Sequence, residues 1–387
     1  MRGRRSSYNR FYMPNHDILR RQVGQLLILG YDGLAVDSKL RTTLSTLQPS
    51  GVILFARNIE EPRQTWRLLR DSQKTTSVPM FLCVDLEGGT VDRLKKVIAP
   101  APSVQDVFVT GNRKLFRMHG KILGLEARAL GFNTDFAPVF DLGFEASRSV
   151  LTSRTASSDP DKTIEYAHAF LRGLKDAKVL GCGKHFPGLG EANLDSHHDM
   201  PVVQKAWKKM WAEDLAPYRE LRGQIPFVMV AHASYPEVTN NNLPASLSSK
   251  WMQDVLRKKI GYKGLIISDD LEMGGVLSTG EIEDVAVETL RAGADMFLVC
   301  HNQELVWRGF EAVLRTAERD RKFAAHVAKA AQRVLAFKKR SAELRGFAAE
   351  PTARVVDKLK TIVEDFSRIV GGGVIDDRLH VAKEINA

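Results

Sequence analysis

The chain has 387 residues, 44% of them hydrophobic and 26% charged. That is an ordinary globular balance, long enough for one large α/β domain with appendages, and it excludes wholesale disorder. The formal net charge is +10, and the three cysteines are an odd number set far apart, which argues against a disulfide framework.

About half of the excess charge sits in residues 1–21, which carry six Arg and one Asp. A basic arm of this kind can hold nucleic acid. No zinc-finger spacing, aromatic RNP-like strand or heptad-linked basic region supports that use, so the tail reads as a solvated terminus and no nucleic-acid partner is expected. The apolar stretch Leu26 to Gly30 is too short for the core of a signal peptide and runs straight into Tyr31 and Asp32. No apolar run approaches the length of a membrane span. The expectation is a cytoplasmic protein with no membrane partner.

Eight short apolar runs follow, at 25–30, 51–56, 79–84, 133–139, 179–184, 227–232, 264–268 and 296–300. They are rich in Val, Ile, Leu and Phe with little alternation, as parallel strands buried on both faces should be. Amphipathic stretches such as Thr163–Ala177, Ser248–Lys259 and Ile282–Ala292 lie between them. Eight strands with helical crossovers predict an α/β fold, a closed (β/α)8 TIM barrel. A doubly wound open sheet is the alternative, weakened because no G-x-G-x-x-G follows the first strand. After Ala348 the composition changes: Thr352–Val370 reads as a helix, followed by three glycines at 371–373. The expected division is a basic tail (1–21), the barrel (22–345) and a C-terminal helical extension (346–387) that packs on the barrel or on a second subunit. The oligomeric state stays open. Cys83, Cys182 and Cys300 each fall in an apolar run and read as reduced core thiols.

Polar residues gather where the apolar runs end. The third run ends in Asp85-Leu86-Glu87-Gly88-Gly89, and the fourth near Asp135 and Asp141. The fifth ends in Lys184-His185-Phe186-Pro187-Gly188, the sixth in His232 and Ser234, the seventh in Ser268-Asp269-Asp270. In an α/β barrel that is the face where active sites are built. Five such loci are hard to explain as packing, because buried polar groups without partners are costly. The segment Lys184 to Pro201 is the densest, a long loop carrying Lys, Glu, Asp and three His. Adjacent strand residues point to opposite sides, so only one of Asp269 and Asp270 can enter a common site.

These residues carry a resemblance. Lys184-His185-Phe186-Pro187-Gly188, then Asp195-Ser196-His197, then Ser268-Asp269-Asp270-Leu271, resemble glycoside hydrolase family 3, and most closely its β-N-acetylhexosaminidase branch. The likeness extends through GVILFARN (51–58), VDLEGG (84–89), TDFAPVFD (134–141), VMVAHASYP (228–236) and AGADMFLVC (292–300). It implies that Asp269 is the nucleophile of a retaining reaction and that His197, partnered by Asp195, is the acid/base. It further implies that Asp85, Arg93, Arg154, Lys184 and His185 surround the sugar. The chemistry suits these types: His titrates near neutrality, and an adjacent carboxylate orients its ring and favours its protonated form. The implied activity is exo-hydrolysis of β-linked N-acetylglucosamine, with cell-wall muropeptide fragments as substrate and neither a metal nor another cofactor.

Alternatives accompany each residue. Asp269 could cap the segment after it, a role that suits Asp270 better. Arg93 could sit in a surface salt bridge. His232 could line the site or be a satisfied core histidine. Asp195, His197, His198 and Asp199 could hold zinc. Glu87 is expected behind the sugar-facing residues. Leu189, Glu191 and Thr90 depart from the family's usual His, Asp and Arg, which bears on loop closure and leaving-group preference. Rival functions are a β-glucosidase or xylosidase, a phosphorylase of the same family, and a non-catalytic binder of sugar or nucleic acid.

Overall fold

The computed structural model describes residues 16–192 and 200–373. Among the described residues ten strands occur in chain order: β1 (Leu27–Leu29), β2 (Gly51–Ile53), β3 (Phe81–Val84), β4 (Leu86–Gly88), β5 (Val91–Asp92), β6 (Thr134–Asp135), β7 (Cys182–Phe186), β8 (Phe227–Val230), β9 (Leu265–Asp270) and β10 (Met296–Val299). Eight of them form one parallel sheet in the order β6-β3-β2-β1-β10-β9-β8-β7. Parallel bridges Thr134–Leu180 and Val139–Lys184 join its two edges, reinforced by Asp135 N–H to Leu180 O at 2.8 Å and Cys182 N–H to Ala137 O at 2.7 Å. The sheet is therefore the expected closed (β/α)8 barrel, and each of the eight apolar runs supplies one stave.

The near-absence of polar alternation in those runs has a direct cause. Alternate residues of β1 to β3, such as Leu27, Leu29, Val52, Leu82 and Val84, pack outward on the helices. The intervening Ile28, Ile53, Phe81 and Cys83 fill the interior with Phe136, Phe227, Met229, Ile267 and Leu298. Both faces are thus buried. All three cysteines are buried, unpaired thiols in this interior, as read from their apolar surroundings.

At the base of the barrel the interior is closed by Lys338. Its ammonium donates to Gln25 Oε1 (3.0 Å) and Ser50 O (2.7 Å) and lies 4.9 Å from the centre of the Phe81 ring. Burial in this apolar plug pushes its pKa down to about 7, with the nearby Cys83 opposing the shift.

Helix boundaries follow ordinary capping chemistry. The stretch read as Thr163–Ala177 begins three residues earlier, at Pro160, because Asp159 accepts from Asp161 N–H and Lys162 N–H and proline occupies the first turn. Ile282–Ala292 is helical over the expected residues. Lys250–Lys259 is helical but wound with π-type hydrogen bonding, which apolar spacing did not foretell. Thr352 caps Ala353–Val370. That helix packs on Arg113–Ala129 and sinks Val356, Leu359, Val363 and Phe366 into the same core as the barrel helices. Among the described residues no helix is long and apolar enough to cross a membrane.

Candidate active site

The C-terminal ends of the staves border one cavity of about 190 Å³. Asp85 follows β3 directly, β7 carries Lys184 and His185, and β9 ends at Asp269 and Asp270. The hairpin β4–β5, whose strands are too short to show any periodicity, turns Glu87 inward and delivers Arg93 to the rim. Arg154 arrives from a short helical turn after β6. Asp85, Arg93, Arg154, Lys184, His185 and Asp269, all expected at a common site, line this single cavity together with Glu87, Phe55, Leu189 and Met273. Asp195 and His197 lie outside the described residues, as do His198 and Asp199.

One wall is a buried chain of alternating charge. Lys184 Nζ lies 2.8 Å from Asp85 Oδ1 and 2.6 Å from Glu87 Oε1. Arg154 grips Glu87 with both arms, Nε to Oε2 at 2.8 Å and Nη2 to Oε1 at 2.9 Å. Burial opposes ionisation of Glu87, but Arg154 and Lys184 outweigh it and hold the carboxyl far below its usual range. Burial likewise disfavours the Lys184 ammonium, and Asp85 with Glu87 reverse that, holding it charged. Glu87 thus spreads Arg154 and Lys184 into fixed positions. Asp85 keeps 17% of its side chain exposed and faces the cavity.

His185 is set by Asp141, which lies behind the lining. Asp141 Oδ2 is 2.7 Å from His185 Nδ1, and Oδ1 accepts from Leu189 N–H at 2.8 Å. The His185 N–H also points at this carboxylate, 3.2 Å from each oxygen. One buried carboxylate thereby fixes a ring and the start of the following loop. Glu191, further along, pairs with Lys209 at 2.9 Å and with the buried Lys205 at 3.3 Å.

The two acids at the end of β9 are driven apart. Burial would raise the Asp269 pKa, yet His185, His232, the Asp270 N–H and Lys184 prevail and hold it below the normal carboxyl value. Its Oδ1 accepts that N–H at 2.8 Å. Burial, with Glu272 and Asp269 beside it, pushes Asp270 up to about 8. The Asp270 carboxyl accepts from Glu272 N–H (3.1 Å) and Cys300 N–H (3.2 Å), but it does not cap the following helix, which starts after Met273 without a side-chain cap, and both acids border the cavity because the strand ends there. Adjacent carboxyls with opposite shifts are the pattern of a site that needs one of them ionised.

His232 resolves as a buried, satisfied histidine rather than a cavity wall. Its Nδ1 is 2.7 Å from Ser246 Oγ and its Nε2 3.0 Å from the Asp270 carbonyl. The carbonyl can only accept, so Nε2 carries the proton and Nδ1 receives the serine hydroxyl. Burial lowers its pKa, and Asp269 with the Asp270 carbonyl opposes that shift. Arg93 is not in a surface helix: its guanidinium lies 5.8 Å from the centre of the Phe55 ring, and its buried Nε has no hydrogen-bond partner among the described residues. Across the cavity Arg57 holds His301 Nδ1 at 3.0 Å and the Cys300 carbonyl at 2.6 Å. Among the described residues no group of three His, Cys, Asp or Glu side chains is arranged to hold a metal ion.

This cavity belongs to a known kind. Residues 18–337 match the model of the glycosyl hydrolase family 3 N terminal domain. The chain belongs to glycoside hydrolase family 3. It falls in the β-N-acetylhexosaminidase branch: a β-hexosaminidase of Tolumonas auensis is 36% identical over 281 residues, covering 72% of this chain and 83% of that one. A β-hexosaminidase of Pseudomonas aeruginosa is 36% identical over 278 residues, with 72% and 82% covered. Among solved structures, a family 3 β-N-acetylglucosaminidase from Paenibacillus sp. str. FPU-7 superposes with a TM-score of 0.85 at 32% identity, over 90% of this chain and 68% of that one. NagZ from Neisseria gonorrhoeae, solved with N-trifluoroacetyl-D-glucosamine, aligns with a TM-score of 0.67 at 28% identity, over 80% and 98%.

For this family 3 hydrolase, residue patterns point to the lining acids and bases and to Glu87 behind them, but attach no role to Asp141, Phe55 or Arg57. Asp141 was visible only as a polar residue near a strand end. Phe55 and Arg57 lie inside GVILFARN, so the signal for them was present without a role attached. His301 follows AGADMFLVC directly and borders the cavity.

Proposed function

We propose that the protein is a retaining exo-β-N-acetylglucosaminidase with Asp269 as nucleophile. The observation that carries this reading is the Asp269 carboxylate, kept ionised at the cavity wall against its own burial and fixed through Oδ1 by the Asp270 N–H. Attack of Oδ2 on the anomeric carbon would form a glycosyl ester while the bond to the leaving oxygen breaks, that oxygen taking a proton from His197. Water then gives its proton to His197 and its oxygen to the anomeric carbon, releasing the sugar and restoring Asp269. Asp195 would orient His197, an assignment that rests on the Asp195-Ser196-His197 motif.

Asp85 would accept sugar hydroxyls, since it is the exposed end of the charge chain. Lys184, Arg154, His185 and Arg93 would donate to sugar oxygens. Peptidoglycan fragments are the proposed source of the terminal N-acetylglucosamine, acted on in the cytoplasm.

The test compares kcat/KM on nitrophenyl β-N-acetylglucosaminide and nitrophenyl β-glucoside, with and without inorganic phosphate. Strong preference for the acetamido sugar and release of free N-acetylglucosamine are expected. Equal use of both sugars would refute the assigned specificity, and a sugar 1-phosphate product would identify a phosphorylase.

A further inference from the structure

At the opposite end of the barrel, below the starts of β7 and β8, lies a second cavity of about 650 Å³. Helix Pro160–Asp176 forms one side, the 223–226 turn another, and the end of helix Arg321–Arg340 with Ser341 and Glu343 the third. Arg172, Lys175 and Arg340 line it, with His168 one turn before Arg172. His168, Arg172 and Lys175 are spaced four and three residues apart, so they share one helix face.

Of the two acids in the lining, Asp176 takes the Arg117 guanidinium at 2.7 Å, and the Glu343 carbonyl accepts from Arg128 at 3.2 Å. Among the described residues none of the three lining cations is in an ion pair, and Arg340 only stacks over Phe337 at 5.1 Å. Arg172, Lys175 and Arg340 are solvent-exposed on the rim of this cavity, and without ion pairs they add little to the fold. A cleft in which one sign of charge predominates concentrates counter-ions.

We propose that this cavity binds a phosphorylated small molecule, a sugar phosphate or mononucleotide, through its phosphate. Two guanidinium forks and an ammonium approaching from two elements suit the tetrahedral oxygens and double charge of a phosphate monoester. The remaining volume leaves room for the group that carries the phosphate. The site is separate from the cavity of the proposed hydrolysis and stands whether or not that reading holds.

Isothermal titration of the full chain at low ionic strength, with N-acetylglucosamine saturating the other cavity, tests this. The probes are AMP, glucose 6-phosphate and inorganic pyrophosphate. At least one is expected to bind with Kd below about 1 mM. Arg172→Glu and Arg340→Glu should each weaken it by roughly tenfold or more, while Lys208→Glu, on the exposed face of helix Trp207–Ala212, should not. Nitrophenyl glycoside turnover without added ligand should stay at the wild-type value in all three variants. Tighter AMP identifies a nucleotide ligand, and tighter glucose 6-phosphate a sugar phosphate. Binding weaker than about 1 mM for all three probes, or equal affinity in the charge-reversed variants, would overturn the proposal.

Discussion

Replacing Glu87 by Gln asks whether the buried charges beside the cavity act as one unit. The Glu87 carboxylate is 1% exposed and meets Arg154 through two contacts and Lys184 through one. Glutamine keeps the volume, but its amide offers one acceptor oxygen and turns an NH2 toward a cation. Arg154 and Lys184 stay charged, with Asp85 as the carboxylate that still contacts Lys184. Removing one partner of a buried pair costs ~3–5 kcal/mol, and the retained oxygen places Glu87→Gln near the lower end of that range. This is a large share of the ~5–15 kcal/mol that holds a typical domain together. Urea unfolding at pH 7, read at matched slopes, measures it directly.

The sign with pH is fixed. The folded-state pKa of Glu87 is depressed, so its stabilisation is complete above the unfolded carboxyl pKa and drains away as pH falls. The gap between wild type and variant should narrow below the ordinary value of about 4.3, by ~1.4 kcal/mol per pH unit. Loss of the spacing between Lys184 and Arg154 should also lower kcat/KM by roughly a hundredfold. A destabilisation under ~1 kcal/mol, or a gap that stays constant into acid, would refute the picture of a single charge unit.

Three further outcomes follow from named contacts. Asp141→Ala orphans the His185 ring, the His185 N–H and the Leu189 N–H, so it should cost ~3 kcal/mol in chemical unfolding and raise KM more than it lowers kcat. Lys338→Met should flatten the alkaline rise in stability: the folded pKa of about 7 lies below the ordinary 10.5, so between those values the unfolded chain binds more protons and wild type gains ~1.4 kcal/mol per pH unit relative to the variant. A pH-independent difference between the two proteins would place the Lys338 ammonium in a solvated setting. His197→Ala should harm disaccharide substrates far more than nitrophenyl ones, because a sugar alkoxide needs protonation that nitrophenolate does not. An unchanged ratio of kcat/KM between the two substrate types would remove His197 from the acid/base role.

The barrel was legible because its staves, buried on both faces, read as short apolar runs bounded by polar loops. β4 and β5 were not: two or three residues, one of them the tight-turning Gly88 at φ 84°, carry no period to detect. That hairpin nevertheless decides where Glu87 and Arg93 go. Lining residues such as Asp85, Lys184 and Asp269 were legible because ionisable groups directly after apolar strands stand out. Supporting residues were not, since Asp141 and His232 are buried polar groups whose partners, Leu189 and Ser246 among them, are brought close only by the closed barrel. The same holds for the opposing shifts of Asp269 and Asp270, which depend on His185, His232 and Glu272 arriving from different elements.

Trapping the covalent bond between Asp269 and the sugar identifies the nucleophile. Incubating the full chain with 5-fluoro-N-acetylglucosaminyl fluoride, which forms the glycosyl-enzyme quickly and releases it slowly, should add one sugar per chain in the intact mass. Peptide mapping should place it on Asp269, and Asp269→Ala should show neither adduct nor turnover. An adduct on another residue, or near-normal turnover in Asp269→Ala, would contradict the account.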